Sequence, residues 1–209
     1  MRSPQMQSFL SALEAAFAAA PMPTVARAAV DRVFAAACLP APPPSALYAP
    51  VASGVHNGES LPVTALFPEA LRALIPRGDA LGGLARALQD LAPNLVWSTR
   101  KAVGPSASAG FAQAHANCFV MGPGAIQSVA EPRDDLWIGI SLMAPDTRYP
   151  DHDHAPEEVY LVLTPGEFWH RDSEWITPGI GGTVHNTPGI RHAMRSGSAP
   201  FLAIWVLPV

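Results

Sequence analysis

Residues 149–163 read Y-P-D-H-D-H-A-P-E-E-V-Y-L-V-L, and residues 181–194 read G-G-T-V-H-N-T-P-G-I-R-H-A-M. His152 and His154 are two positions apart, so on an extended chain both imidazoles point to one side. By the same rule Glu158 and Tyr160 share one face of the next strand. Val159, Leu161 and Leu163 then face the other way, into apolar packing. The Thr187-Pro188-Gly189 turn leads into a segment that can bring His192 across. Three imidazoles and a carboxylate converging from two hairpins suit one divalent transition metal: Fe(II), Zn, Mn, Ni or Co. Such a set leaves one or two coordination positions open to substrate or water. A lone H-x-H reads better as two solvated loop histidines. The added Glu158 and the separate P-G-x-x-H argue for the metal.

Outward from this stretch, the chain after Pro93 is cut into short apolar, aromatic and β-branched runs by Gly and Pro. The spacing predicts strands over 95–98, 117–121, 136–143, 158–163, 168–170, 182–185 and 201–207, the pattern of a sandwich or barrel. Before Pro93 the period is helical. Phe9, Leu10, Leu13 and Phe17 mark one helix, and Val25, Ala29, Val33 and Ala36 a second, with Pro21 and Pro23 between them. Further helices are expected over 68–75 and 81–91, the latter capped by Asp79. The residues 39–50 form a Pro-rich connector, irregular on through Gly58. The expected architecture is mainly β. A helical region, 1–94, packs on a metal-bearing barrel, 95–209.

Composition removes several function classes. The formal net charge is −4 and Lys101 is the sole lysine, so nucleic acid is not an expected partner. No stretch is long and apolar enough for a membrane span. Glu14 interrupts the Ala-rich N-terminal run, which reads as an amphipathic helix retained on the mature protein. Cys38 and Cys118 belong to no C-x-x-C and read as two buried thiols in a reducing cytoplasm.

The two quoted segments resemble the two cupin motifs: H-x-H, three residues and Glu, then T-P-G-I-R-H where many cupins have P-x-G-x-x-H. The sequence departs from that pattern at Asp146, which stands where the first motif has glycine, and at Gly166, one residue late. Both are turn positions. The fold implied is a cupin double-stranded β-helix. Y-P-x-H-x-H-x3-E-x-Y, then Trp169, P-G-x-x-H-A and L-A-I-W are similar to the cupin-type dimethylsulfoniopropionate (DMSP) lyases, over roughly Trp137 to Trp205. That resemblance implies a metal-dependent carbon–sulfur β-elimination of DMSP to dimethyl sulfide and acrylate, on a small zwitterionic or carboxylate substrate. The metal ligands would be His152, His154, Glu158 and His192, with Tyr160 as a possible further ligand. Tyr160 and Tyr149 would be catalytic, Tyr160 as base and Tyr149 in assistance. Tyr149, Trp169 and Trp205 would bind substrate, because aromatic faces attract a sulfonium.

Tyr48 is the only other tyrosine. Trp97, Trp137 and Trp175 read as packing residues, and His56 and His115 as loop or surface residues. His170 and His185 sit at no ligand position. The reach of His152 depends on the Asp151–Asp153 loop. Two other readings stand beside the lyase: another metal-dependent cupin enzyme, such as a dioxygenase or isomerase, and a non-enzymatic small-molecule-binding cupin. Metal identity stays open, and so does the choice between monomer and homodimer.

Overall fold

The computed structural model describes residues 2–42, 61–100, 105–123 and 131–209. Tyr48, His56, Lys101 and most of the Pro-rich connector lie outside them.

Helix α1 (Pro4–Ala19) starts where the Ser3 hydroxyl accepts the Met6 N–H at 3.2 Å and Pro4 presets the first turn. It stops before Pro21. Helix α2 (Thr24–Ala37) sends back the Arg27 guanidinium, which donates to the Phe17 and Ala20 carbonyls at 2.7 and 3.0 Å and satisfies the end of α1. Helices α3 (Phe67–Arg72) and α4 (Ala80–Leu91) follow, and Asp79 caps α4 by accepting from the Gly82 N–H at 3.0 Å. A single turn, α5 (Phe111–Ala114), leads into the strands.

The α2 stripe differs from the one expected. Val25 is exposed, while Ala26, Val30, Phe34 and Ala37 join Ala29 and Val33 in the core. Turning the helix by about one residue buries the Phe34 ring, a larger apolar surface than Val25 offers.

The strands are β1 (His115–Gly122), β2 (Glu131–Pro132), β3 (Leu136–Met143), β4 (Glu158–Val162), β5 (Gly166–His170), β6 (Thr183–Asn186), β7 (His192–Ser196) and β8 (Phe201–Pro208). They form a six-stranded sheet in the order β2-β1-β3-β8-β4-β6 and a two-stranded sheet, β5-β7. Residues 95–98, expected as a strand, contribute only a bridge from Ser98 to Asn117. The 192–196 segment is a full strand that the expected set lacked.

Alternation divides the large sheet into two faces. Ile138, Ile140, Leu142, Val159, Leu161, Leu202, Ile204 and Val206 share one apolar cluster with the helices. Tyr160, Val162, Phe201, Ala203 and Trp205 point the other way and meet Phe168 and Met194 of the small sheet. The helices thus cover the outer face, and the space between the sheets holds the polar residues described next. Asp146, at the motif glycine position, has φ 54°, a left-handed turn that Asp tolerates better than most residues.

Candidate metal centre

His152 lies opposite His192, where the backbones of the β4-leading loop and β7 exchange two hydrogen bonds, of 3.0 and 2.8 Å. The Asp151–Asp153 loop is thereby pinned to β7, and His152 comes into the cluster. His154 is held from its other side, since its carbonyl accepts the Gly189 N–H at 2.9 Å. Gly189, in the T-P-G turn, has φ 70°. One ring nitrogen from each of His152, His154 and His192 lies within 4.8 Å of the other two.

The three rings share one hydrogen-bond pattern. Nδ1 of His152, His154 and His192 contacts the carbonyls of Pro150, Pro156 and Ile190 at 2.9, 2.8 and 2.9 Å. Nδ1 therefore carries a proton, and in the neutral ring Nε2 presents its lone pair to the common space. Nε2 of His192 is buried without a hydrogen-bond partner among the described residues. A buried acceptor of this kind is costly unless something fills the space. The donor set fits a transition cation.

Glu158 Oε2 lies 3.2 Å from His154 Nε2 and 3.4 Å from His192 Nε2. Burial pushes this carboxyl up, but the two histidines outweigh it and hold it well below the usual carboxylate range. Burial also works against a charge on His154, whose contact with Glu158 nevertheless raises it. His152 is pushed down to about 3 by burial, then by the charges of His192 and Arg100. Tyr160 is held well above its ordinary value by burial, then by the charges of Glu158 and Tyr149.

Several partners were not legible in the motif. Asn186 stands opposite Glu158 across the β4–β6 pair and donates to its Oε2 at 2.8 Å. His170, opposite His192 on β5, contacts Asn186 Oδ1 at 2.7 Å. The two together orient Glu158. The strand register would have found Asn186, once β4 and β6 were known to pair. His185 instead turns to Glu157, at 3.0 Å. His115, expected at the surface, is fully buried and stacked on Phe111 with ring centroids 3.7 Å apart. Cys38, expected to be buried, is exposed at the end of α2, whereas Cys118 is buried.

The tyrosines and tryptophans separate. Tyr149 packs beside His152 with ring centroids 4.9 Å apart, and the Arg100 guanidinium lies 6.0 Å from the Tyr149 ring centre. Trp205 pairs with Tyr160 across β4 and β8, so both side chains enter the inner space. Trp169 does not reach it. Its strand neighbours Phe168 and His170 face inward, so Trp169 faces out, where it meets Trp175 at 6.5 Å. Trp97 packs on Phe67 on the helical side, and Trp137 packs near Phe119 at 6.0 Å.

A helix-backed double sheet with convergent imidazoles on its inner face defines a cupin. Within that class the chain belongs to the DMSP lyase family, whose model, described as dimethylsulfoniopropionate lyase, matches residues 44–203. A putative DMSP lyase, DddL of Cereibacter sphaeroides, is 34% identical over 140 residues, covering 66% of this chain and 55% of that protein. The match thus spans about half the length of this curated relative. The crystal structure of the DMSP lyase DddQ from Ruegeria pomeroyi DSS-3 superposes with a TM-score of 0.65 at 21% identity, over 100% of this chain and 93% of that one. A chain from the crystal structures of the DMSP lyases RdDddP and RnDddQII gives 0.61 at 21% identity, over 98% and 92%. At that identity the two structures speak for the fold.

Proposed function

We propose that the protein is a metal-dependent DMSP lyase whose cation is held by His152, His154, His192 and Glu158. One observation carries this reading: three imidazoles with Nδ1 tied to backbone carbonyls turn Nε2 into one shared space, within a chain of this family. When bound, a divalent transition cation would take a carboxylate oxygen of the substrate and supply positive charge, favouring both the enolate-like charge and a Tyr160 phenolate.

The reaction is a β-elimination. A base removes the proton alpha to the carboxylate, the carbon–carbon double bond forms, and the Cβ–S bond breaks. The bonding electron pair leaves on sulfur as neutral dimethyl sulfide, and acrylate remains. Tyr160 is the base, since it shares the inner face of β4 with Glu158 and is buried away from bulk water. Tyr149, beside His152, holds the substrate. Arg100 faces the Tyr149 ring, and among the described residues it has no carboxylate within ion-pair distance, so it favours an anionic substrate. Trp205, adjacent to Tyr160, is the tryptophan placed to meet the sulfonium. Trp169 has no part in this account.

The test is direct. Purified protein is incubated without oxygen with DMSP and Fe(II), Mn, Ni, Co or Zn in turn, and headspace dimethyl sulfide is measured. Metal-dependent release of dimethyl sulfide with equimolar acrylate is expected. No release with any metal would overturn the proposal, and a requirement for oxygen would point to an oxygenase. Y160F should lose roughly 10²–10⁴-fold in turnover while keeping its metal. Near-normal elimination by metal-loaded Y160F would remove Tyr160 from the role of base.

A further inference from the structure

The inner face carries a hydrogen-bond chain that no motif announces. Trp205 Nε1 donates to Ser141 Oγ at 3.1 Å. Ser141 Oγ donates to Asn117 Oδ1 at 2.8 Å. Asn117 Nδ2 donates to the Tyr149 hydroxyl at 3.2 Å. Register places three of the four residues together: Asn117 stands opposite Ser141 on β1 and β3, and Trp205 lies two residues along β8 from the partner of Ser141. Trp205, Ser141 and Tyr149 are all buried.

The direction of this chain follows from its two ends. An indole N–H can only donate, so Ser141 accepts there. The buried Ser141 hydroxyl has no acceptor other than Asn117 among the described residues, so an amide turned the other way would strand the Ser141 proton. The proton therefore goes to Asn117 Oδ1, and the amide nitrogen faces Tyr149. The Tyr149 oxygen accepts, so its own proton is turned away from Asn117.

We infer that Asn117, locked by Ser141 and Trp205, is a positioning residue that keeps Tyr149 a hydrogen-bond acceptor on the barrel side and so frees the Tyr149 proton to meet the substrate carboxylate. The inference rests on the reading of Tyr149 as the residue that holds substrate. Among the described residues no other group hydrogen-bonds the Tyr149 hydroxyl. Phe111 and His115 meet its ring edge-on, at 5.0 and 5.6 Å, the His152 ring lies tilted beside it at 4.9 Å, and Arg100 lies over its face. A donor aimed at an oxygen that gains charge during elimination strengthens as the transition state forms.

Asn117→Asp reverses the polarity at almost constant shape. A carboxylate accepts from both Ser141 and Tyr149, so Tyr149 must spend its proton on the barrel. Metal-loaded full-length protein is compared as wild type, N117D, S141A and Y149F. The Raman tyrosine doublet, taken as the difference from Y149F, distinguishes an accepting from a donating phenol without substrate. Wild type should read as acceptor, N117D as donor, and S141A, whose amide is free to flip, as a mixture. With DMSP, N117D should lose roughly a hundredfold in kcat/KM, and N117D/Y149F should be no worse than Y149F alone. A donating Tyr149 in wild type, or losses that simply add, would overturn the inference. If N117D fails to fold, the S141A spectrum decides, and an unchanged acceptor signature there counts against the lock. If wild type cleaves no DMSP with any metal, the lyase reading fails and the Raman comparison alone judges the chain of donors.

Discussion

A histidine becomes a metal ligand through the nitrogen that faces away from the metal. In the proposed ligands His152, His154 and His192, Nδ1 contacts a carbonyl two residues away in sequence, at Pro150, Pro156 and Ile190. Two of these three carbonyls belong to prolines, which offer an acceptor and no competing N–H. His115 shows a different use of the same ring. Its Nδ1 contacts the Phe111 carbonyl at 2.7 Å, and its Nε2 accepts the Arg100 N–H at 2.8 Å. A second proton would remove that acceptor, and burial pushes the ring down to about 4. The unfolded chain, with an ordinary value of 6.5, then takes up a proton that the folded chain refuses. This contribution to stability is fully present above 6.5 and is lost as pH falls through about 4, at most ~3 kcal/mol in all. H115N cannot titrate. Its denaturation midpoint should therefore fall less steeply than wild type between about pH 7 and about pH 5, with both proteins in the same metal state. Parallel curves would mean that His115 is not the group responsible. Nothing local in the sequence marks His115 as buried, because its neighbours Gln113 and Ala114 also suit a surface loop.

Among the elements, those with strong local signals were legible. Helix α4 begins at the expected cap, and β3 spans the eight residues that a short apolar run marked. The four proposed ligand positions come together because strand period and turn chemistry are written in neighbouring residues. The phase of α2 was not legible, since Ala-rich helices offer several weak apolar stripes and the partner sheet selects one. Trp169 was misplaced for a similar reason. A short strand does not declare which face is inner until its partner is known. Glycines of the strands carry another hidden constraint. A Cβ on Gly139 would lie 2.1 Å from the ring of Trp205, directly opposite on β8. G139A should push the indole off Ser141, destabilise the fold by about 1–3 kcal/mol and lower activity as well. Denaturant midpoint and tryptophan fluorescence would show both effects. Wild-type stability with an unshifted emission would mean that the sheet yields instead of the ring.

At the scale of the whole molecule, the helices and the outer face of the large sheet share one apolar cluster, from Phe9 and Leu88 to Ile140 and Val206. Polar ties cross the same boundary. Arg133, fully buried, donates to the Ala36 and Leu39 carbonyls at 2.9 and 2.8 Å and pairs with Asp135. Arg2 pairs with Glu131 at 2.7 Å, and the Thr183 hydroxyl donates to the Pro21 carbonyl at 2.8 Å. Composition divides the chain near residue 94 because helices and strands differ in texture. Energetics need not follow that line, since each large side chain in the shared cluster is worth ~1.5–3 kcal/mol only while both sides are present. The expected result is a single cooperative thermal transition, with calorimetric and van't Hoff enthalpies equal. Residues 95–209 produced alone should expose the apolar face of the large sheet and aggregate or bind a hydrophobic dye. R133M, which keeps much of the bulk but takes a donor from two carbonyls and the partner from Asp135, should cost about 1–3 kcal/mol and lower the one transition without splitting it. Two resolved transitions, or a soluble barrel fragment with native near-ultraviolet dichroism, would show that the helices are an accessory and that the barrel holds its site unaided.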